Sequence, residues 1–274
     1  LGPRCVTAFL DTDPGFNQIG LSGRPEWQTD AEWIARVKEF RSYDRHLTYA
    51  ENIGREDCLV PGLGVHWITT RMPIVNSLWR DISMASSGGP WSTVMTWNDF
   101  PGPLIYAGRE YGSKGVEFSR IASLPGRVSP ILRIAVGGTA PTRNLVEQGW
   151  HVVDAPAATL TPESYRDFIA QSRGEISTAK NVYVAMKTGW FSCRTACYLA
   201  AGRPAVVQDT GFSKYIPVGK GLLAFDTVEQ AGSDIAAVEA DYLTHASAAR
   251  DVAAEYFDSD KVLSRMLDAL FAAH

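Results

Sequence analysis

The residues best suited to holding a phosphate lie late in the chain. In Gly189-Trp-Phe-Ser-Cys-Arg-Thr-Ala-Cys-Tyr-Leu-Ala-Ala-Gly-Arg-Pro-Ala-Val-Val207 a helix stops at Gly202, Arg203-Pro204 makes the turn, and an apolar strand follows. Gln208, Asp209, Thr210, Gly211 and Phe212 then form the loop at that strand's carboxyl end. Ligands of open α/β sheets bind at such ends, where glycine lets backbone N–H groups approach an anion and a nearby helix N-terminus favours its charge. Arg194, one turn into the helix, offers a bidentate clamp, and Lys180 and Lys114 offer point charges. Gly137-Gly138, after another strand, offers a phosphate-facing turn. The competing readings are a solvated charge for each Lys or Arg and a plain tight turn for the glycine pair. A separate carboxylate pair, Asp11 and Asp13 in Asp11-Thr-Asp-Pro-Gly15, follows an apolar strand near the start.

These residues need a scaffold, and the pattern supplies one. Strands are predicted over 6–10, 46–50, 93–97, 131–136, 150–153, 175–178, 205–207 and 222–225. Helices are predicted over 30–41, capped by Asp30, and over 115–123, 143–148, 162–172 behind Thr161-Pro162, 191–201, 228–257 with a break near His245, and 261–272. Strands alternating with helices of about ten residues imply βαβ units and a parallel sheet. From residue 91 onward the expectation is a Rossmann-like α/β domain. Ser86-Ser-Gly-Gly-Pro90 reads as the linker to a smaller segment, residues 1–85.

The stretch 189–212 resembles the C-terminal, donor-binding domain of GT-B glycosyltransferases. Phe191-Ser192, Ala200-Ala-Gly-Arg-Pro204, Val206-Val207 and Asp209-Thr-Gly211 follow that family's order and spacing, as do Gly219-Lys-Gly-Leu222 and the helices after Thr227. Asp11-Thr-Asp-Pro-Gly15, Ala50-Glu-Asn-Ile-Gly54, Thr69-Thr-Arg71, Trp190-Phe-Ser-Cys-Arg194 and Gln208-Asp-Thr-Gly-Phe212 are similar to a bacterial glycosyltransferase-like subgroup. The resemblance implies transfer of a sugar from a nucleotide-sugar donor to a carbohydrate or lipid-linked acceptor, with no cofactor and no metal. It implies a donor diphosphate held by Lys114, Gly137, Gly138, Lys180, Ser192, Arg194, Asp209, Thr210, Gly211 and Phe212. Residues 1–85 would be the end of the acceptor-side domain, with Asp11 and Asp13 as catalytic residues facing the cleft. On this reading the chain lacks the start of that domain. Residues 1–85 are then expected to pack on a second copy or on a missing segment, through Trp33, Val37 and Phe40.

The chain departs from the family at Gly189 and Cys197, where many retaining members carry two glutamates that face sugar and ribose. Either Ser192 and Arg194 take over, or the domain only binds a nucleotide or glycan. Asp11-Thr-Asp-Pro-Gly15 also resembles the calcium-binding opening of nucleoside hydrolases, with Asn17 and Gln18 where two further aspartates belong. It resembles the phosphatase motif in which Asp11 would be nucleophile and Asp13 acid/base as well. Neither rival accounts for 189–212.

Composition closes other routes. Basic and acidic residues, 26 and 30, leave a net charge of −4 and no broad basic field for nucleic acid. No apolar run reaches the ~18 residues of a membrane span, and residues 1–4 do not open a signal peptide. Four cysteines are too few for a disulfide scaffold, which points to reduced thiols and a cytoplasmic protein. The eight tryptophans, 27, 33, 67, 79, 91, 97, 150 and 190, fit core packing, with Trp190 as the exception beside the proposed site.

Overall fold

The computed structural model describes residues 5–25, 28–98 and 104–272. Trp27 and residues 1–4, read above, lie outside the described residues. Near the start, β1 (Ala8–Asp11), β2 (Arg45–Thr48) and β3 (Trp67–Thr69) form a parallel sheet in that order. Helices α1 (Phe16–Ser22) and α2 (Asp30–Ser42) connect the first two strands. The helix begins where expected, but its cap is Thr29 rather than Asp30. Thr29 Oγ1 accepts the Glu32 N–H and Glu32 accepts the Thr29 N–H, a reciprocal box that Asp30 has no Glu or Gln in register to make. Phe40, expected in an outward contact, is 3% exposed and packs among Phe9, His46 and Trp67 of the chain's own sheet. Burying that ring internally removes the greasiest member of the expected contact.

The larger sheet has six parallel strands. After β4 (Trp91–Thr96) come an antiparallel hairpin, β5 (Leu104–Tyr106) with β6 (Arg109–Tyr111), and α3 (Lys114–Ile121). Then β7 (Leu132–Gly137), α4 (Thr142–Glu147), β8 (His151–Asp154), α5 (Ala155–Thr159) and α6 (Pro162–Ala170) follow. The second half runs β9 (Gly174–Ser177), α7 (Asn181–Ala185), α8 (Cys193–Ala200), β10 (Ala205–Gln208) and β11 (Leu222–Phe225). Helices α9 (Val228–Ala240), α10 (Tyr242–Tyr256) and α11 (Ser259–Phe271) close the chain. Spatially the order is β11-β10-β9-β4-β7-β8. The Rossmann-like sheet expected from the alternating pattern is therefore present. Its strand order reverses between β4 and β9, which is where such sheets open a crevice.

Both faces of the sheet are covered, so its central strands are buried throughout rather than alternating. Neighbouring residues serve opposite layers. Val207 packs with Phe191, Tyr198, Phe212 and Phe257, while Val206 packs with Trp91, Phe118, Ile134 and Ile235. Trp79, Trp91 and Trp150 are core residues and Trp33, Trp67, Trp97 and Trp190 are half-buried. The four cysteines are free thiols. No helix among the described residues is long and apolar enough to cross a membrane.

The long terminal helix breaks at Asp241 (φ −141°, ψ 55°), one turn before the expected place at His245. His245 is buried inside α10, and its Nδ1 accepts the Gly221 N–H at 3.2 Å. Burial, helped by Lys220 and opposed by Asp241, holds the imidazole below its ordinary value of 6.5. The folded chain therefore prefers neutral His245. This contribution to stability is complete above 6.5 and is lost as pH falls from 6.5 toward the lower folded value, because the unfolded chain takes up the proton first. Urea unfolding should show this fall between pH 7.5 and 5.5, and His245→Gln should flatten it.

Candidate functional site

The crevice between β4 and β9 is built first from close approaches. The Gly115 N–H donates to the Trp97 carbonyl at 2.8 Å, tying the first turn of α3 to the end of β4. A Cβ on Gly115 would lie 2.5 Å from the Trp97 indole nitrogen, so only glycine lets the helix start there. This places Lys114 as the first residue of α3. On the neighbouring strand, Gly137 ends β7 and Gly138 turns in the left-handed region (φ 77°). Beyond it Thr139 N–H and Oγ1 both donate to Asn98 Oδ1, at 3.1 and 2.8 Å.

One buried carboxylate ties these pieces together. Glu117 of α3 is fully buried and accepts from Asn181 Nδ2 and from Gln208 Nε2, each at 2.6 Å, with the Arg120 guanidinium at 3.4 Å. Asn181 Oδ1 in turn accepts the Gly112 N–H, and Gln208 Oε1 accepts the Ala179 N–H. So α3, the loop after β9 and the end of β10 share one hydrogen-bond network. Sequence reading passed over Glu117. Its signal was a single acid inside the buried stripe of Gly115, Phe118 and Ile121.

Past β9 the chain meets the smaller sheet. Lys180 Nζ pairs with Asp13 Oδ2 at 2.8 Å, and the Tyr183 hydroxyl donates to Asp13 Oδ1. The Tyr183 ring stacks on Trp190, centroids 4.4 Å apart. Thr210 Oγ1 donates to the Trp190 carbonyl at 2.5 Å, and the Gly189 N–H donates to the Thr210 carbonyl at 2.8 Å. Asp209 shapes the loop after β10 by accepting the Gly211 N–H at 2.8 Å and the Ser213 hydroxyl at 2.6 Å, with Gly211 at φ 93°. Ser192 is the N-cap of α8, and its side chain makes no capping bond. Between Trp190, Ser192, Thr178 and Thr210 lies a small pocket of about 20 Å³.

Of the expected phosphate-binding residues, Lys114, Gly137, Gly138, Lys180, Ser192, Asp209, Thr210 and Gly211 thus lie at the carboxyl ends of β4, β7, β9 and β10. Two others face the interior. Phe212 is 1% exposed and meets the Phe191 ring edge-on at 5.0 Å, so it anchors the loop in the core. Arg194, expected as a clamp, is buried. Its Nε meets Glu175 Oε1 at 2.6 Å, one Nη donates to the Val94 carbonyl at 2.7 Å, and the other donates to Ser177. A carboxylate within a wholly buried strand draws the guanidinium inward.

The two early aspartates also part company. Asp11 is completely buried and accepts from Asn17 Nδ2, Gln18 Nε2, Thr48 Oγ1 and the Asp13 N–H. Burial raises its pKa, and these hydrogen bonds oppose the rise. Asp11 fastens β1 to β2 and α1 and offers no reacting atom to the cleft. Asn17 and Gln18 turn their amide nitrogens toward it, while their oxygens accept from Arg36 and from the Gly15 N–H. They do not present oxygens to a calcium ion. Among the described residues no three His, Cys, Asp or Glu side chains gather at a metal-binding distance. Asp13 keeps about a third of its side chain exposed, beside Lys180.

At the two departures from the family pattern, Gly189 is left-handed (φ 75°). A Cβ there would lie 2.6 Å from the Asn52 nitrogen, so no glutamate fits. Cys197 is half-buried, and burial pushes its thiol up to about 12. No family model and no curated protein matches the sequence. Solved structures do match. TarM superposes with a TM-score of 0.51 at 13% identity over 89% of this chain. HepE of Anabaena, solved with UDP and glucose, gives 0.58 at 11% over 97%, and an alpha-glucosyltransferase solved with UDP gives 0.58 at 11% over 99%. The chain spans 42% of the length of TarM and 71% and 74% of the other two. The chain has the GT-B glycosyltransferase fold.

The inward Arg194 has a measurable consequence. Arg194→Ala leaves Glu175 as an uncompensated buried charge, a loss of about 3–5 kcal/mol. Denaturant unfolding should register it as a shifted midpoint, whereas a surface clamp would leave the midpoint in place.

Proposed function

We propose that the chain binds a nucleotide-sugar donor and transfers its sugar to a carbohydrate or lipid-linked acceptor, with no cofactor. The observation that carries this reading is the convergence of four loops at the point where the sheet's strand order reverses, in a fold whose solved neighbours include two UDP complexes. The α8 N-terminus, with its orphan N–H groups and a Ser192 side chain not engaged in capping, suits the donor's diphosphate. Lys114 at the start of α3 and Lys180 after β9 supply countercharge. Chemistry of this kind needs the departing nucleotide diphosphate neutralised and the acceptor hydroxyl deprotonated.

Asp13 suits the second task. It is paired with Lys180. A diphosphate arriving at Lys180 competes for that cation and frees Asp13 Oδ2 to act as a general base while Tyr183 still holds Oδ1. Donor charge and base activation are then coupled through one lysine.

Titration calorimetry with UDP and GDP tests the reading. Lys114→Ala and Lys180→Ala should each weaken binding by about 1.5–3 kcal/mol, the scale of a hydrogen bond to a charged group. Asp13→Asn should bind the nucleotide at least as tightly as the parent, yet lose the slow hydrolysis of the sugar nucleotide by water. Failure of every nucleoside diphosphate to bind would overturn the assignment. Binding with no hydrolysis or transfer in the parent chain would reduce it to a nucleotide-binding domain.

A further inference from the structure

The opposite end of the larger sheet carries positive charge without a counter-ion. The turn Gly202–Arg203 enters β10 there, at its amino end and away from the crevice. Arg203 is 2% exposed. Its guanidinium donates to the carbonyls of Ala170 at 2.7 Å, Ser83 at 2.8 Å and Ala201 at 3.4 Å, and its Nε has no hydrogen-bond partner. Arg250 of α10 lies against Gly202, where a Cβ would fall 2.5 Å from its Nε. It donates to the carbonyls of Ile82 at 3.1 Å, Ala201 at 3.2 Å and Arg80 at 3.4 Å.

Carbonyl dipoles hold these groups in place, two of them at the ends of α6 and α8, but dipoles cancel no net charge. Arg166, Arg173 and Arg194 each have a carboxylate, respectively Asp81, Glu239 and Glu175. Among the described residues Arg203 and Arg250 have none. Burial lowers the pKa of Arg203; Tyr242 opposes the fall and Arg250 deepens it. Burial pulls on Arg194 as well, yet Glu175 carries it above its ordinary value. A buried cation left without such a partner calls for an anion.

There is room for one. A cavity of about 240 Å³ lies between Met84, Arg203, Leu243, Ser247 and Arg250. A second, of about 260 Å³, shares Met84 and Arg203 and adds Asp81 and Arg166. Three guanidinium groups and one carboxylate line the pair, an excess of two positive charges. Met84 and Leu243, 62% and 66% exposed, form an apolar lip.

We propose that these cavities are a second anion site, which takes a phosphate ester with Arg250 as its contact, Arg203 as the buried charge beneath, and the ester's apolar group on Met84 and Leu243. Guanidinium suits phosphate oxygens, and two of them match a dianion. The site draws nothing from Lys114, Lys180 or Asp13, so it stands apart from the donor reading.

Titration calorimetry of the full chain with inorganic phosphate and with butyl phosphate makes the test. Both should bind, butyl phosphate about three- to tenfold tighter through the apolar lip. Ser247→Glu sets a carboxylate at the cavity on an exposed helical position, so the chain still folds. It should weaken both ligands about tenfold or more, and so should Arg250→Gln. Lys180→Ala should leave this binding in place. Flotation with phosphatidylcholine vesicles, with and without phosphatidic acid, separates the sources. Capture that needs phosphatidic acid and is lost in Ser247→Glu identifies a lipid headgroup. Butyl phosphate binding without vesicle capture identifies a soluble phosphate ester. Binding of neither phosphate overturns the site. So does binding that is undiminished in Ser247→Glu, or that is lost in Lys180→Ala. If Arg250→Gln does not fold, Ser247→Glu decides alone.

Discussion

The placing of α8 at the crevice depends on one buried ion pair, Arg194 with Glu175. Glu175 lies in a strand enclosed on both faces, where an isolated carboxylate would not be tolerated. Arg194 answers it from α8 and adds the Val94 carbonyl of β4 and the Ser177 hydroxyl of β9. Two strands are thereby fixed to α8 by one guanidinium. The geometry has to be good, because desolvating two charges costs more than a loose pair returns. Once α8 is pinned in this way, its N-terminus has a defined place beside the ends of β9 and β10. The loop at Asp209 and the segment carrying Trp190 are then positioned by their neighbours.

A second network, centred on Glu117, does for the other side of the crevice what Arg194 does for the first. It links α3, the loop after β9 and the end of β10 through amide side chains rather than through charge pairing with a core strand. The two networks tie β4, β9 and the end of β10 into one rim. The segment that carries the smaller sheet meets this side through Asp13 on Lys180 and Tyr183, through Asn52 on the carbonyls of 187 and 188, and through an apolar cluster in which Ile19 and Val60 pack with Val182, Tyr183 and Met186. Gly15 is part of the same contact, since a Cβ there would lie 2.9 Å from Val182.

Most of the larger sheet was legible because most of its strands carry short runs of apolar or β-branched residues bounded by turn residues. The helix capped by Thr161-Pro162 and the stop at Gly202 were readable for the same local reasons. What escaped was short or long-range. β3, β5, β6, α1, α5 and α7 span three to seven residues, too few for a period to show. At the site, the loops were legible from glycine and strand ends, but the direction of each side chain was not. Arg194 and Phe212 looked like ligand contacts because they sit in the right loop and helix. Which way they point is decided by Glu175 and Phe191, partners that spacing alone does not bring together. Asn52 and Tyr183 owe their places to contacts more than a hundred residues away in sequence, and no local pattern marks them.

The Asp209 turn carries a consequence of its own. Its carboxylate is bound to the Gly211 N–H and the Ser213 hydroxyl, so the loop after β10 is braced from within. A ligand settling there meets a preorganised surface and pays little conformational entropy to order it. Whatever ordering cost binding carries must fall elsewhere around the rim. The loop can therefore accept a change at the exposed Lys214 with little effect on its backbone, which makes it a fixed mount on which different specificities can be built.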